Sequence, residues 1–158
     1  MIKVGDKIPE ARVPKIAAQG SGLLNTREFF AGKKVILFGV PGAFTPVCSE
    51  KHLPGFMELA GKIHAKGVAD IVCLSVNDRH VMNAWAKDQN VGDAVILLAD
   101  GKAEFTKALG MDIDIDNMGV RSKRFALIVD NGVVTKMALE DSTGAHDVSS
   151  AEAMLKLL

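Results

Sequence analysis

Val35-Ile36-Leu37-Phe38-Gly39-Val40-Pro41-Gly42-Ala43-Phe44-Thr45-Pro46-Val47-Cys48-Ser49-Glu50 is the stretch that decides the fold. Val35 to Val40 is a continuous apolar run, short enough for a strand buried on both faces and stopped by Pro41-Gly42. Thr45-Pro46 then reads as a helix start, with a hydroxyl residue at the N-cap and proline at the first helical position. Strand, turn and helix in that order make one step of an α/β sheet. The spacing places Cys48 in the first helical turn, just past the C-terminal end of the strand.

The same punctuation recurs along the chain. Ile71 to Val76 is a β-branched-rich run ended by Asn77-Asp78, and Val95 to Leu98 is another, ended by Asp100-Gly101. Phe125–Val129 and Val133–Met137 flank Asp130-Asn131-Gly132, and Asn-Gly between apolar runs is a strong hairpin signal. Helices fit between these strands. Phe56, Leu59, Ala60 and Ile63 recur at helical spacing, with Gly67 at the C-cap; Val81, Ala84 and Trp85 form a second stripe, and Phe105, Ala108 and Leu109 a third. Ser149 or Ser150 caps a last helix through Met154, Leu155 and Leu158. Strands alternating with helices imply parallel pairing covered on both faces, here finished by an antiparallel hairpin. The expectation is an α/β, thioredoxin-like fold, with a central mixed β-sheet flanked by helices. No repeat, linker or low-complexity stretch divides the chain, so residues 1–158 read as one domain.

Composition narrows the function. The 158 residues are 48% hydrophobic and 24% charged, with only 15 Gly and 5 Pro, which excludes collagen and disorder. Nineteen basic residues face 19 acidic ones, so the surplus that nucleic-acid binding requires is missing. No segment has the apolar length to cross a bilayer, and Met1 to Lys7 lacks the apolar core of a secretory signal. Two cysteines do not make a disulfide scaffold in a chain of this size. The expected compartment is a reducing cytoplasm, where a functional cysteine is reactive rather than cross-linked.

Cys48 fits that description. The first turn of a helix carries unpaired N–H groups and the positive end of the helix dipole, and both favour a thiolate. The ends of parallel strands are also where open α/β sheets bind ligands.

Pro41-Gly42-Ala43-Phe44-Thr45-Pro46-Val47-Cys48-Ser49 contains the Pro-x-x-x-Thr-x-x-Cys signature of the peroxiredoxins. The chain resembles the type II (atypical, thioredoxin-fold) subgroup through His52 to Phe56, Cys73 to Asp78, Leu98 to Gly101 and Arg121 to Leu127, in family order across nearly its whole length. The resemblance implies a thiol-dependent peroxidase that reduces hydrogen peroxide and small organic hydroperoxides through a sulfenic acid, without metal, haem or flavin. It makes Cys48 the peroxidatic nucleophile. It gives Pro41 the shielding of the sulfur, Thr45 a hydrogen bond to sulfur and peroxide, and Arg124 the catalytic guanidinium. It also implies a homodimer formed through the active-site end.

Elementary chemistry supports those roles separately. An ordinary cysteine is a few per cent thiolate at pH 7, so full ionisation accelerates attack by about 30-fold at most. Enzymes supply about a million-fold or more. The remainder calls for donors aimed at the peroxide oxygens, and a fixed guanidinium fork suits that task.

Other residues keep two readings. Cys73, in a central strand, is either an inert core cysteine or a resolving partner for Cys48. Thr143 to Ser150, where some type II members carry a resolving cysteine, has none. That favours recycling by an external thiol such as glutathione, glutaredoxin or thioredoxin. His52, four residues after Cys48, either favours the thiolate electrostatically or packs on the helix. Arg121 and Lys123 read as solvated or surface-paired. The rival to catalysis is a redox-sensing interaction protein switched by Cys48 oxidation. Weaker signals fall away. Asp112-Ile113-Asp114-Ile115-Asp116 lacks the glycine and glutamate of a calcium loop and reads as extended or loop. Cys48 with His52 is short of a zinc site, and there is no Cys-x-x-Cys, no Gly-x-Ser-x-Gly elbow and no phosphate loop.

Overall fold

A computed structural model describes all 158 residues. In chain order the elements are β1 (Arg12–Ile16), β2 (Gly22–Asn25), α1 (Thr26–Phe30), β3 (Lys34–Val40), a π-turn (Cys48–His52) running into α2 (Leu53–Ala65), β4 (Asp70–Ser75), α3 (Arg79–Asp88), β5 (Ile96–Ala99), α4 (Glu104–Ala108), β6 (Asp112–Ile115), β7 (Gly119–Ser122), β8 (Phe125–Asp130), β9 (Val133–Leu139) and α5 (Ala151–Leu157). The main sheet has seven strands in the order β2-β1-β5-β4-β3-β8-β9, and β6 and β7 form a separate hairpin. β3, β4 and β5 are parallel, whereas β8 runs antiparallel to β3 and β9 to β8. This is the mixed, thioredoxin-like arrangement expected. The Asn131-Gly132 turn joins β8 to β9 with both residues at positive φ, as a tight hairpin requires.

Side chains alternate across the sheet and split the core into two layers. Ile36, Phe38 and Val40 of β3, Ile71 and Cys73 of β4, and Ala126 and Ile128 of β8 face α2, α3 and α5. Val35 and Leu37, Val72 and Leu74, and Phe125, Leu127 and Val129 face α1, α4 and the N-terminal segment. Cys48 and Cys73 both lie in the first layer. The helix stripes need one amendment: Met82 with Trp85, and Phe105 with Thr106 and Leu109, are buried, while Ala84 and Ala108 are exposed. Alanine fits either face, so periodicity cannot orient it. β1, β2 and α1 escape the sequence because they are short, carry Pro14 and expose much of their length. Asp112 to Ile115 is extended, as expected, and is one strand of the small hairpin.

The helix carrying Cys48 begins at Pro46, and the first α-type bond runs from Ser49 N–H to the Thr45 carbonyl. Thr45 is thus the backbone N-cap expected, but its hydroxyl turns back to the Gly42 carbonyl and caps nothing in the helix. The following five residues widen into a π-turn, with Leu53 N–H bonded to the Cys48 carbonyl. Pro54 accounts for this. It has no N–H for the Glu50 carbonyl, and its ring crowds that carbonyl in an α-helix.

Candidate active site

Cys48 opens the π-turn that follows β3 and has no solvent exposure. Arg124, the residue immediately before β8, is 2% exposed and donates from Nη2 to Cys48 Sγ at 3.1 Å. Two further groups hold its guanidinium. Nε donates to the Thr143 carbonyl at 2.9 Å, and Nη1 meets His52 Nδ1 at 2.9 Å. Arginine is only a donor, so Nδ1 of His52 must accept and its proton must sit on Nε2. That proton goes to the Ser149 carbonyl, 2.9 Å away. Burial first, and then the Arg124 charge, push the His52 pKa down to about 3, so the ring is neutral at physiological pH.

This excludes the electrostatic reading of His52: a neutral imidazole cannot favour a thiolate by charge. The ring is fully buried against Phe38 and Phe56, and its polar edge holds Arg124. Glu140 organises the segment that supplies the two carbonyls. One of its oxygens accepts from the Asp147 and Ser149 amides, both at 2.8 Å, and from the Ser149 hydroxyl at 2.6 Å. These hydrogen bonds outweigh partial burial and hold its carboxyl below the usual carboxylate range.

The charge balance points to the sulfur. The ion pairs of the structure are Lys3–Asp6, Arg27–Glu10 and Lys33–Asp70, and Arg124 belongs to none of them. A buried cation without a carboxylate is costly unless another anion lies beside it. Among its direct partners, two carbonyls, a neutral imidazole and a sulfur, only the sulfur can become negative. Three of the five guanidinium N–H groups are engaged. The second N–H of Nη2 forms no hydrogen bond within the protein.

Pro41 is buried directly after β3, and Thr45 is half-buried with its hydroxyl proton on the Gly42 carbonyl at 2.7 Å. Thr45 forms no hydrogen bond to Cys48 in this arrangement. Arg121 is not a solvated end: it is half-buried and donates to the Met118 and Val76 carbonyls at 3.2 and 3.4 Å. Its Nη1 packs close to Gly42 and would lie 2.8 Å from a Cβ placed there. Trp85 on α3 donates from Nε1 to the Ser49 hydroxyl at 3.0 Å and fastens the residue next to Cys48. Cys73 is fully buried on β4, and desolvation pushes its thiol well above the ordinary range. Both cysteines are free.

Residues 3–155 match the Redoxin family. The chain is 51% identical to Peroxiredoxin-2E-2, chloroplastic, of Oryza sativa subsp. japonica, over 99% of this chain and 72% of that protein. It is 46% identical to Peroxiredoxin-2B of Arabidopsis thaliana, over 99% and 98% of the two chains. The crystal structure of reduced Prx3 from Vibrio vulnificus in complex with H2O2 overlays with a TM-score of 0.92, at 47% identity and 99% coverage of both chains. These likenesses favour catalysis over a purely redox-sensing role, and no helix here is long and apolar enough to cross a membrane. The chain belongs to the peroxiredoxins of the redoxin family, thiol-dependent peroxidases that take a hydroperoxide and a thiol reductant.

Proposed function

We propose that this peroxidase runs a one-cysteine cycle on Cys48, with Arg124 and Thr45 as the groups that orient the peroxide and Pro41 as the shield over the sulfur. The Cys48 thiolate attacks the terminal peroxide oxygen, the O–O bond breaks, and the departing oxygen takes up a proton. Water or an alcohol leaves, and Cys48 becomes a sulfenic acid. Arg124 meets the negative charge that moves from sulfur to the departing oxygen, and it is already aligned, so little reorganisation is needed. The carrying observation is the 3.1 Å contact between Arg124 Nη2 and Cys48 Sγ, both residues being buried. The likeness to Prx3 of Vibrio vulnificus, solved with H2O2, supports hydrogen peroxide as a substrate, with small organic hydroperoxides beside it.

An external thiol restores Cys48 in this reading. It condenses with the sulfenic acid to a mixed disulfide and water, and a second thiol releases it. Glutathione with glutaredoxin, or thioredoxin, supplies that thiol. Cys73 takes no part, since its buried thiol is held protonated and segment 143–150 has no cysteine. No metal or organic cofactor enters the cycle. The chain works as a homodimer built on the active-site end, where Phe44 and Val120 expose large apolar side chains. Two free thiols suit a reducing compartment and support a cytoplasmic location, although the rice relative is chloroplastic. Peroxide consumption measured with each thiol system, beside a Cys48→Ser variant, tests the proposal. Turnover that persists in Cys48→Ser overturns it.

A further inference from the structure

The loop that carries Thr45 depends on one peptide unit, that joining Gly42 to Ala43. Its N–H belongs to Ala43 and donates to Asn77 Oδ1 at 3.0 Å. Its carbonyl belongs to Gly42 and accepts the Thr45 hydroxyl at 2.7 Å. A trans peptide is planar, with N–H and C=O on opposite sides, so anchoring the first fixes the direction of the second. Asn77 Oδ1 is anchored in turn by the hydroxyl of Ser75, a fully buried residue at the end of β4. The turn needs such an anchor. Phe44, between Ala43 and Thr45, sits at φ +64°, a left-handed conformation that a bulky side chain rarely adopts unaided.

The consequence is chemical. A hydroxyl has one proton and two lone pairs. With the proton committed to Gly42, Thr45 Oγ1 has lone pairs alone left to offer a peroxide. The terminal oxygen of a hydroperoxide carries an O–H, so an acceptor is the group that can orient it. We infer that Asn77 is a positioning residue for peroxide reduction: it holds the Gly42–Ala43 peptide so that Thr45 meets the peroxide as a hydrogen-bond acceptor. The inference rests on the roles given above to Cys48 and Thr45.

Rapid mixing of the reduced enzyme with hydrogen peroxide tests it, using Asn77→Leu, Asn77→Asp, Thr45→Val and the Asn77→Leu/Thr45→Val double variant. Asn77→Leu is expected to slow Cys48 oxidation by about tenfold, the scale of one hydrogen bond. Asn77→Asp keeps the oxygen acceptor and should recover most of the rate. In the Thr45→Val background Asn77→Leu should change nothing more, because the groups act in series. The ultraviolet thiolate absorbance of Cys48, followed against pH, should stay that of the parent. A parental rate in Asn77→Leu, an equal loss in the Thr45→Val background, or a shifted thiolate titration each overturns the inference. Should Asn77→Leu fail to fold, Ser75→Ala loosens the same oxygen, and a parental rate there overturns it equally. A parent enzyme no faster than free cysteine would instead sink the assignment of Cys48 itself.

Discussion

Arg124 donates to Nδ1 of His52, and that bond fixes both the tautomer and the charge of the imidazole. The histidine one helical turn beyond Cys48 is therefore a neutral strut. It passes the position of the Ser149 carbonyl, set by Glu140, on to the guanidinium that touches the sulfur.

Replacing the guanidinium should cost far more than a change in thiolate fraction. Arg124→Ala is expected to lower the second-order rate of peroxide attack by about 100-fold or more. Arg124→Lys should rescue little, since an ammonium cannot meet Cys48, His52 and Thr143 in one plane. Stopped-flow oxidation kinetics, with the thiolate titrated separately, check both.

His52 should make stability sensitive to mild acid. Its pKa falls from 6.5 to about 3 on folding, so the unfolded chain binds the extra proton. The stabilisation is complete above pH 6.5 and is lost as pH falls toward 3. Between pH 7 and pH 5 the loss is about 2 kcal/mol. Glu140 adds to it in the same direction at lower pH, because its folded carboxyl also lies below its unfolded value. Denaturant unfolding across that range should show the slope. His52→Gln, which can accept and donate in the same places without titrating, should reduce it between pH 7 and pH 5, leaving the smaller slope from His146, whose pKa burial and then the Arg124 charge also lower.

Cys73→Ser should leave turnover with an external thiol near the parental rate while lowering stability by about 1–3 kcal/mol, the cost of a hydroxyl in an apolar layer. Alkylation of the native protein at neutral pH should spare Cys73 until denaturant is added, because burial keeps its thiol protonated.

Ser49→Ala should destabilise the chain by about 1–3 kcal/mol by leaving the buried Trp85 N–H without its partner. Ser49→Thr, which keeps the hydroxyl, should cost less. Thermal or denaturant melts distinguish the two.

Much of this was legible in the sequence. The runs at Val35–Val40 and Ile71–Val76, the Asn131-Gly132 turn and the Thr45-Pro46 helix start carried the central sheet and put Cys48 at the strand ends, because buried strands and tight turns leave strong local marks. Arg124 came from the family motif alone; no pattern in the sequence distinguishes it from Arg121. The groups that hold it could not be read. Thr143 and Ser149 act through backbone carbonyls, which every residue has, and Glu140 and Asn77 act through distant segments that only the fold brings near. The π-turn had one visible cause, Pro54, whose missing N–H has several outcomes in a helix start.

The most direct measurement is an intact mass after one equivalent of hydrogen peroxide, without reductant and with a sulfenic-acid trap present. A single trapped adduct, mapped to Cys48, is the predicted result. Loss of two hydrogens without an adduct would mean a Cys48–Cys73 disulfide and contradict the one-cysteine cycle, and an unchanged mass would contradict the role of Cys48 itself.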